Sequence, residues 1–138
     1  KNKTPSHLGG HGKGTAIDQG VFDWMCDTYK VYTMLDIGCG LGGMSKLCEK
    51  RDVEWTGIDG DPAIENDHEH FYTWDFCKGP LDSLRTYDLA WSVEFLEHVE
   101  EEYQDNYMGL FQECKYAVVS AAPPGAGGYH HVNCQNPP

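Results

Sequence analysis

The chain is 138 residues long, the size of one domain, and carries a formal charge of −12 from 10 Lys+Arg against 22 Asp+Glu. A nucleic acid or an anionic membrane surface requires a positive face that displaces counterions, and the few basic residues here are scattered, so neither is expected as a partner. No run approaches the ~18 apolar residues of a membrane helix, and no signal peptide is visible. The six cysteines (26, 39, 48, 77, 114 and 134) form no Cys-x-x-Cys pair, which points to reduced thiols in a cytoplasmic protein.

In chain order, residues 1–15 are polar and glycine-rich and read as a flexible arm, with His7 and His11 flanking Gly9-Gly10. Residues 16–29 place Ile17, Val21, Trp24, Met25 and Thr28 at helical spacing, with Thr15 as the cap and Asp18 three residues on. An apolar strand over 31–37 runs into a glycine cluster. A helix over 43–50 follows, basic at its end as the helix dipole prefers.

The second strand, 53–58, ends in Asp59-Gly60-Asp61-Pro62, and the third, about 70–74, ends at Asp75. The link between them is short for a parallel crossover, which usually needs about a dozen residues or more, so only a stub helix over 62–67 fits. A fourth strand over 87–93, a turn over 94–98, a helix over about 101–114 and a fifth strand over 116–121 complete the pattern. The tail opens on Pro123-Pro124-Gly125 and is loop by composition. The expected division is an arm (1–15), an α/β domain (16–122) and a tail (123–138). Strands alternating with helices give a parallel sheet, and every candidate ligand position falls at the carboxyl ends of strands, where open α/β sheets bind ligands.

The most informative stretch is Met34-Leu35-Asp36-Ile37-Gly38-Cys39-Gly40-Leu41-Gly42-Gly43. Gly38, Gly40 and Gly42 lack a Cβ, so the backbone can turn sharply and approach a ligand closely. The following helix offers free N–H groups. Asp59, at the end of the second strand, is placed to accept both hydroxyls of a ribose. Asp75 can receive an exocyclic amine, with Phe76 beside it as a backbone donor or packing face. The glycines also fit the dinucleotide fingerprint Gly-x-Gly-x-x-Gly. A pyrophosphate, however, is disfavoured beside the Asp36 carboxylate in a low-dielectric cleft, whereas a cationic amine or sulfonium is welcome there.

These residues carry a resemblance. Leu35-Asp36-Ile37-Gly38-Cys39-Gly40-Leu41-Gly42 resembles the first motif of class I S-adenosylmethionine-dependent methyltransferases. Gly57-Ile58-Asp59 resembles the second, Asp75-Phe76 the third, and Asp88 to Val99, with its Glu97-His98-Val99 ending, the fourth. The similarity covers about residues 30–122. It implies a Rossmann-like α/β fold with a parallel sheet of order 3-2-1-4-5, S-adenosylmethionine as cofactor, and a methyltransferase activity. It also implies that the Gly38–Gly42 loop meets the methionine part, Asp59 with Gly60 the ribose, and Asp75 with Phe76 the adenine, while the Ser92–Glu94 region borders the methyl group. The family usually has seven strands, so the chain is expected to be truncated before strands 6 and 7. The strand 5 edge would then be covered by the tail or by a second copy in a homodimer.

Histidines supply candidate bases. His130 or His131, after the fifth strand, is the expected catalytic base, and the arm with His7 and His11 could reach the same carboxyl edge. His7, His11, His131 and Cys134 are zinc-type ligands, but they come from opposite ends of the chain, and no metal is expected. The acidic charge favours a small-molecule methyl acceptor. The alternatives are a non-catalytic S-adenosylmethionine-binding or partner module and, further off, a nicotinamide-dependent oxidoreductase.

Overall fold

The computed structural model describes residues 3–12, 14–83 and 85–136. Five parallel strands, β1 (Thr33–Ile37), β2 (Glu54–Asp59), β3 (Phe71–Thr73), β4 (Tyr87–Val93) and β5 (Cys114–Ser120), form one sheet of order β3-β2-β1-β4-β5. This is the order expected from the sequence. The central β1 pairs Asp36 with Gly57 on one side and with Trp91 on the other.

Alternation along β1 divides the core. Met34 packs with Trp55, Leu89 and Trp91 on one face, and Leu35 and Ile37 pack with Ile58, Tyr107 and Leu110 on the other. The first face is covered by α1 (Gln19–Tyr29) and α2 (Met44–Lys50), through Phe22, Met25, Met44 and Cys48. The second is covered by α3 (Asp105–Gln112). The six cysteines are free thiols, and among the described residues no helix is long and apolar enough to cross a membrane.

Several local expectations are corrected. Helix α1 begins later than the apolar spacing suggests, so Asp18 rather than Thr15 is its cap, its carboxylate accepting the Val21 N–H at 3.0 Å. Thr15 instead accepts the Gly43 N–H at 2.9 Å, at the start of α2. The buried face of α1 is Phe22 and Met25, while Trp24 stays 56% exposed against Tyr29, whose ring meets Tyr116 of β5 at 4.5 Å.

The stub helix over 62–67 is absent; a turn at 62–63 and irregular chain take its place. Asp61 accepts the Ala63 N–H, Asn66 the His68 N–H, and the His68 ring the His70 N–H. Such local side-chain bonds compete with helix. The helix expected over 101–114 divides into a 3-10 turn, Glu101–Tyr103, and α3, which stops at Gln112 because Cys114 already pairs with Tyr87 in the sheet. The β5 edge carries exposed Tyr116 and Val119.

Gly57 is required by packing. A Cβ there would enter the Trp55 ring and crowd Cys39 Sγ. Gly57→Ala is expected to lower stability by ~1–3 kcal/mol, the usual penalty for overpacking, read as a shifted urea midpoint in tryptophan fluorescence.

Candidate functional site

Strand β1 delivers Asp36 to the carboxyl edge of the sheet, where it is 2% exposed. Its Oδ2 accepts the Trp55 indole N–H at 3.0 Å. Burial pushes its carboxyl up to about 7 against the pull of that hydrogen bond, and the nearby Asp59 charge adds to the rise.

Beyond Ile37 the chain folds over the end of β2. Gly38 and Cys39 both donate their N–H to the Ile58 carbonyl, at 2.8 and 3.0 Å. Gly38, Gly40 and Gly42 have φ of 75, 55 and 81°, values that favour glycine. A side chain at Gly38 would run into Phe95, and one at Gly40 into the Gly14 carbonyl. Asp59 locks the crossing: its Oδ2 accepts the Gly40 N–H at 2.9 Å and its Oδ1 the Asp61 N–H at 3.0 Å. Burial nevertheless raises its carboxyl above the ordinary range.

The arm lies across this edge. Thr4 donates its hydroxyl to Asp61 Oδ2 at 3.0 Å, and His11 Nε2 stands 2.9 Å from the same oxygen. His7 Nε2 is 2.8 Å from Asp75 Oδ2. Leu8 rests against Gly60. An arm that reads as flexible in sequence is therefore held by carboxylates 50 to 68 residues away. The tail joins it: Tyr129 donates its hydroxyl to the Ser6 carbonyl at 2.6 Å, and Val132 and Asn133 donate their N–H groups to the Glu97 carbonyl.

Between arm and glycine loop lies a cavity of about 140 Å³. Of the residues singled out in sequence, Asp36, Gly38, Cys39, Gly40, Asp59 and Gly60 line it. Gly42, Asp75, Phe76 and Ser92 do not. Asp75 caps the 3-10 turn Phe76–Lys78, its Oδ1 accepting the Cys77 N–H. Phe76 is packed into the core against Phe95 and Tyr107. Ser92 is fully buried, its hydroxyl without a hydrogen bond among the described residues.

His130 and His131 also stand outside the cavity wall. His98 is in it, with the His131 ring 5.0 Å behind, and His130 faces His7 at 6.4 Å. Burial and the neighbouring His131 keep the His98 imidazole below its ordinary pKa. Sequence reasoning brought the arm histidines to this edge but passed over Asp61 as their partner. The Asp59-Gly60-Asp61 spacing carries a signal for Asp61, but nothing local marks its partners.

A family model described as a methyltransferase domain matches residues 16–115. The chain belongs to this methyltransferase domain family. Solved structures share the fold. A SAM-dependent methyltransferase from Archaeoglobus fulgidus is 22% identical with a TM-score of 0.53, over 78% of this chain and 54% of that one. The [4+2]-cyclase SpnF is 18% identical with a TM-score of 0.59, over 85% and 52%. The 16S rRNA methylase RmtB is 21% identical with a TM-score of 0.53, over 75% and 47%. This methyltransferase domain thus spans about half the length of these three. No curated protein is significantly similar to it.

A site for a nucleoside-sized ligand encloses ~300 Å³ or more, so ligand entry requires the arm to lift. In the double variant His7→Ala/His11→Ala, amide exchange over residues 3–12 is expected to rise about tenfold or more, with the sheet unaffected, in mass-spectrometric hydrogen exchange.

Proposed function

We propose that this methyltransferase domain binds S-adenosylmethionine at the carboxyl edge of its sheet and transfers the methyl group to a small-molecule acceptor. The observation that carries the reading is the buried Asp36 carboxylate in the wall of the cavity beside the glycine loop. A cationic ligand offsets the cost of that buried charge; a pyrophosphate would add to it.

In this reading the Gly38–Gly42 loop takes the methionine part and Asp59 with Gly60 the ribose. Asp75, with the backbone of Phe76, meets the adenine once His7 releases Asp75. Ser92 lies beneath the methyl end, on β4. Methyl transfer from a sulfonium depends mainly on alignment. The histidines of the turn and tail, His98, His130 and His131, stand on the acceptor side. The formal charge of −12 supports a small acceptor over a nucleic acid. Free thiols support a cytoplasmic setting. A second copy seated on Tyr116 and Val119 would cover the β5 edge as a homodimer.

Calorimetry with S-adenosylmethionine tests the cofactor. Wild type is expected to bind, and Asp59→Ala to bind about tenfold or more weakly, through lost ribose contacts. Equal behaviour of the two, with no heat at high micromolar ligand, would refute the site. Binding without formation of S-adenosylhomocysteine from any acceptor would mark a non-catalytic module instead.

The pH dependence has a definite sign. Burial holds the Asp36 carboxyl up at about 7, and a bound cation favours its charged form. Affinity should therefore fall as pH drops from about 8 to about 6, with proton uptake by the free state. Asp36→Asn should bind more weakly at the upper pH and lose most of this slope, seen by calorimetry in buffers of different ionisation enthalpy.

A further inference from the structure

The 3-10 turn Leu96–His98 and the tail meet at a second cluster. One carboxylate oxygen of Glu97, one ring nitrogen of His98 and one of His131 all lie within 4.8 Å of one another. Glu97 is completely buried, and among the described residues neither of its oxygens has a hydrogen bond of full geometry, the Glu94 carboxyl and the Ala122 backbone being its near polar neighbours. Buried carboxylates are normally paired or hydrogen-bonded, or coordinate a metal. Here the nearest cationic candidate, His98 Nε2, stands 3.9 Å from Glu97 Oε1. That is too long for a hydrogen bond and close to the ~3–3.5 Å that separates two ligand atoms each bound ~2.0–2.2 Å from one ion.

The His131 ring is oriented for the same purpose. Its Nδ1 lies 3.2 Å from the Ala126 carbonyl. A carbonyl only accepts, so the proton sits on Nδ1 and Nε2 is left as an acceptor, on the ring edge that lies beside Gly128. Metal-binding histidines are held this way by a backbone carbonyl. The segment carrying His131 is itself fixed, because Val132 and Asn133 both bond the Glu97 carbonyl, at 2.8 and 3.1 Å. The ring of His98 packs so closely on Gly10 that a Cβ there would lie 2.6 Å from it.

We propose that Glu97, His98 and His131 hold a divalent metal ion. Two imidazoles and a carboxylate suit a first-row transition ion such as zinc, whereas magnesium and calcium prefer oxygen shells. Three protein ligands leave a coordination position open, and His98 places it at the wall of the cavity.

The consequence for the acceptor rests on the methyl-transfer reading. An alcohol or phenol oxygen bound at the open position is acidified by the ion. It gives its proton to solvent, its lone pair forms the new C–O bond, and the C–S bond breaks with its electron pair remaining on sulfur as S-adenosylhomocysteine. The acceptor class is therefore a hydroxyl compound.

The test uses the full chain, stripped with a chelator, and needs no S-adenosylmethionine. Zinc titrated by calorimetry should bind with about one equivalent at high affinity. His131→Ala and Glu97→Gln should each weaken it about ten- to hundredfold. Cys77→Ser, in the separate His7–Asp75–Cys77 group, should leave it unchanged. Cobalt in place of zinc should show ligand-field bands without a thiolate charge-transfer band.

Absence of zinc binding by wild type, undiminished binding by His131→Ala, or a thiolate band each overturns the proposal. His131 lies in the tail outside the core, so its variant decides the matter if Glu97→Gln fails to fold. Metal binding and S-adenosylmethionine binding are read separately, so failure of one leaves the other standing. A site that binds zinc while methyl transfer favours an amine acceptor overturns only the hydroxyl assignment.

Discussion

The crossing of the glycine loop over the end of β2 is the constraint on which the carboxyl edge depends. The Ile58 carbonyl receives two N–H groups from Gly38 and Cys39, and the Asp59 carboxylate receives a third from Gly40. These bonds join the central strand to its neighbour just where both leave the sheet. Positive φ at Gly38 and Gly40 lets the loop make them without strain. The position of Asp36, the path of the arm and the start of α2 all follow from this fold-over. Thr15 reaches Gly43 only because the loop brings Gly43 beside it.

The same edge concentrates negative charge. Asp36, Asp61, Asp75 and Glu97 are all buried, and burial raises the carboxyls of Asp36 and Glu97. Asp61 is treated differently: burial pushes its carboxyl up, but bonds from His11, Ala63 and Thr4 hold it below the ordinary range. The site thus contains carboxylates already served by the arm and carboxylates left without a cation. The first set explains why the arm docks, and the second why the cleft suits a positive ligand.

Much of this was legible in the sequence because it depends on local pattern. The strands, the loop glycines, Asp36 and Asp59 follow from apolar runs, glycine spacing and acids at strand ends, while the strand order is what the resemblance carried by those motifs implies. What was not legible depends on partners distant in sequence. The 62–67 segment reads as a stub helix, but Asp61, Asn66 and His68 each bond backbone nearby and leave no helix to form. Thr15 reads as a cap for α1, yet its partner is Gly43. Phe76 reads as a ligand-facing residue, but Phe95 and Tyr107 enclose it. His98 reads as a turn residue, and only the returning tail reveals its company.

The hydrogen bond from Tyr129 to the Ser6 carbonyl joins the two ends of the chain above the cleft. The arm covers the glycine loop, and the tail brings His131 behind His98. Lifting the arm must break this tie, while the bonds of Val132 and Asn133 to the Glu97 carbonyl hold the tail where it is. Opening of the cleft is thereby a one-sided movement, in which the arm leaves and the tail stays seated.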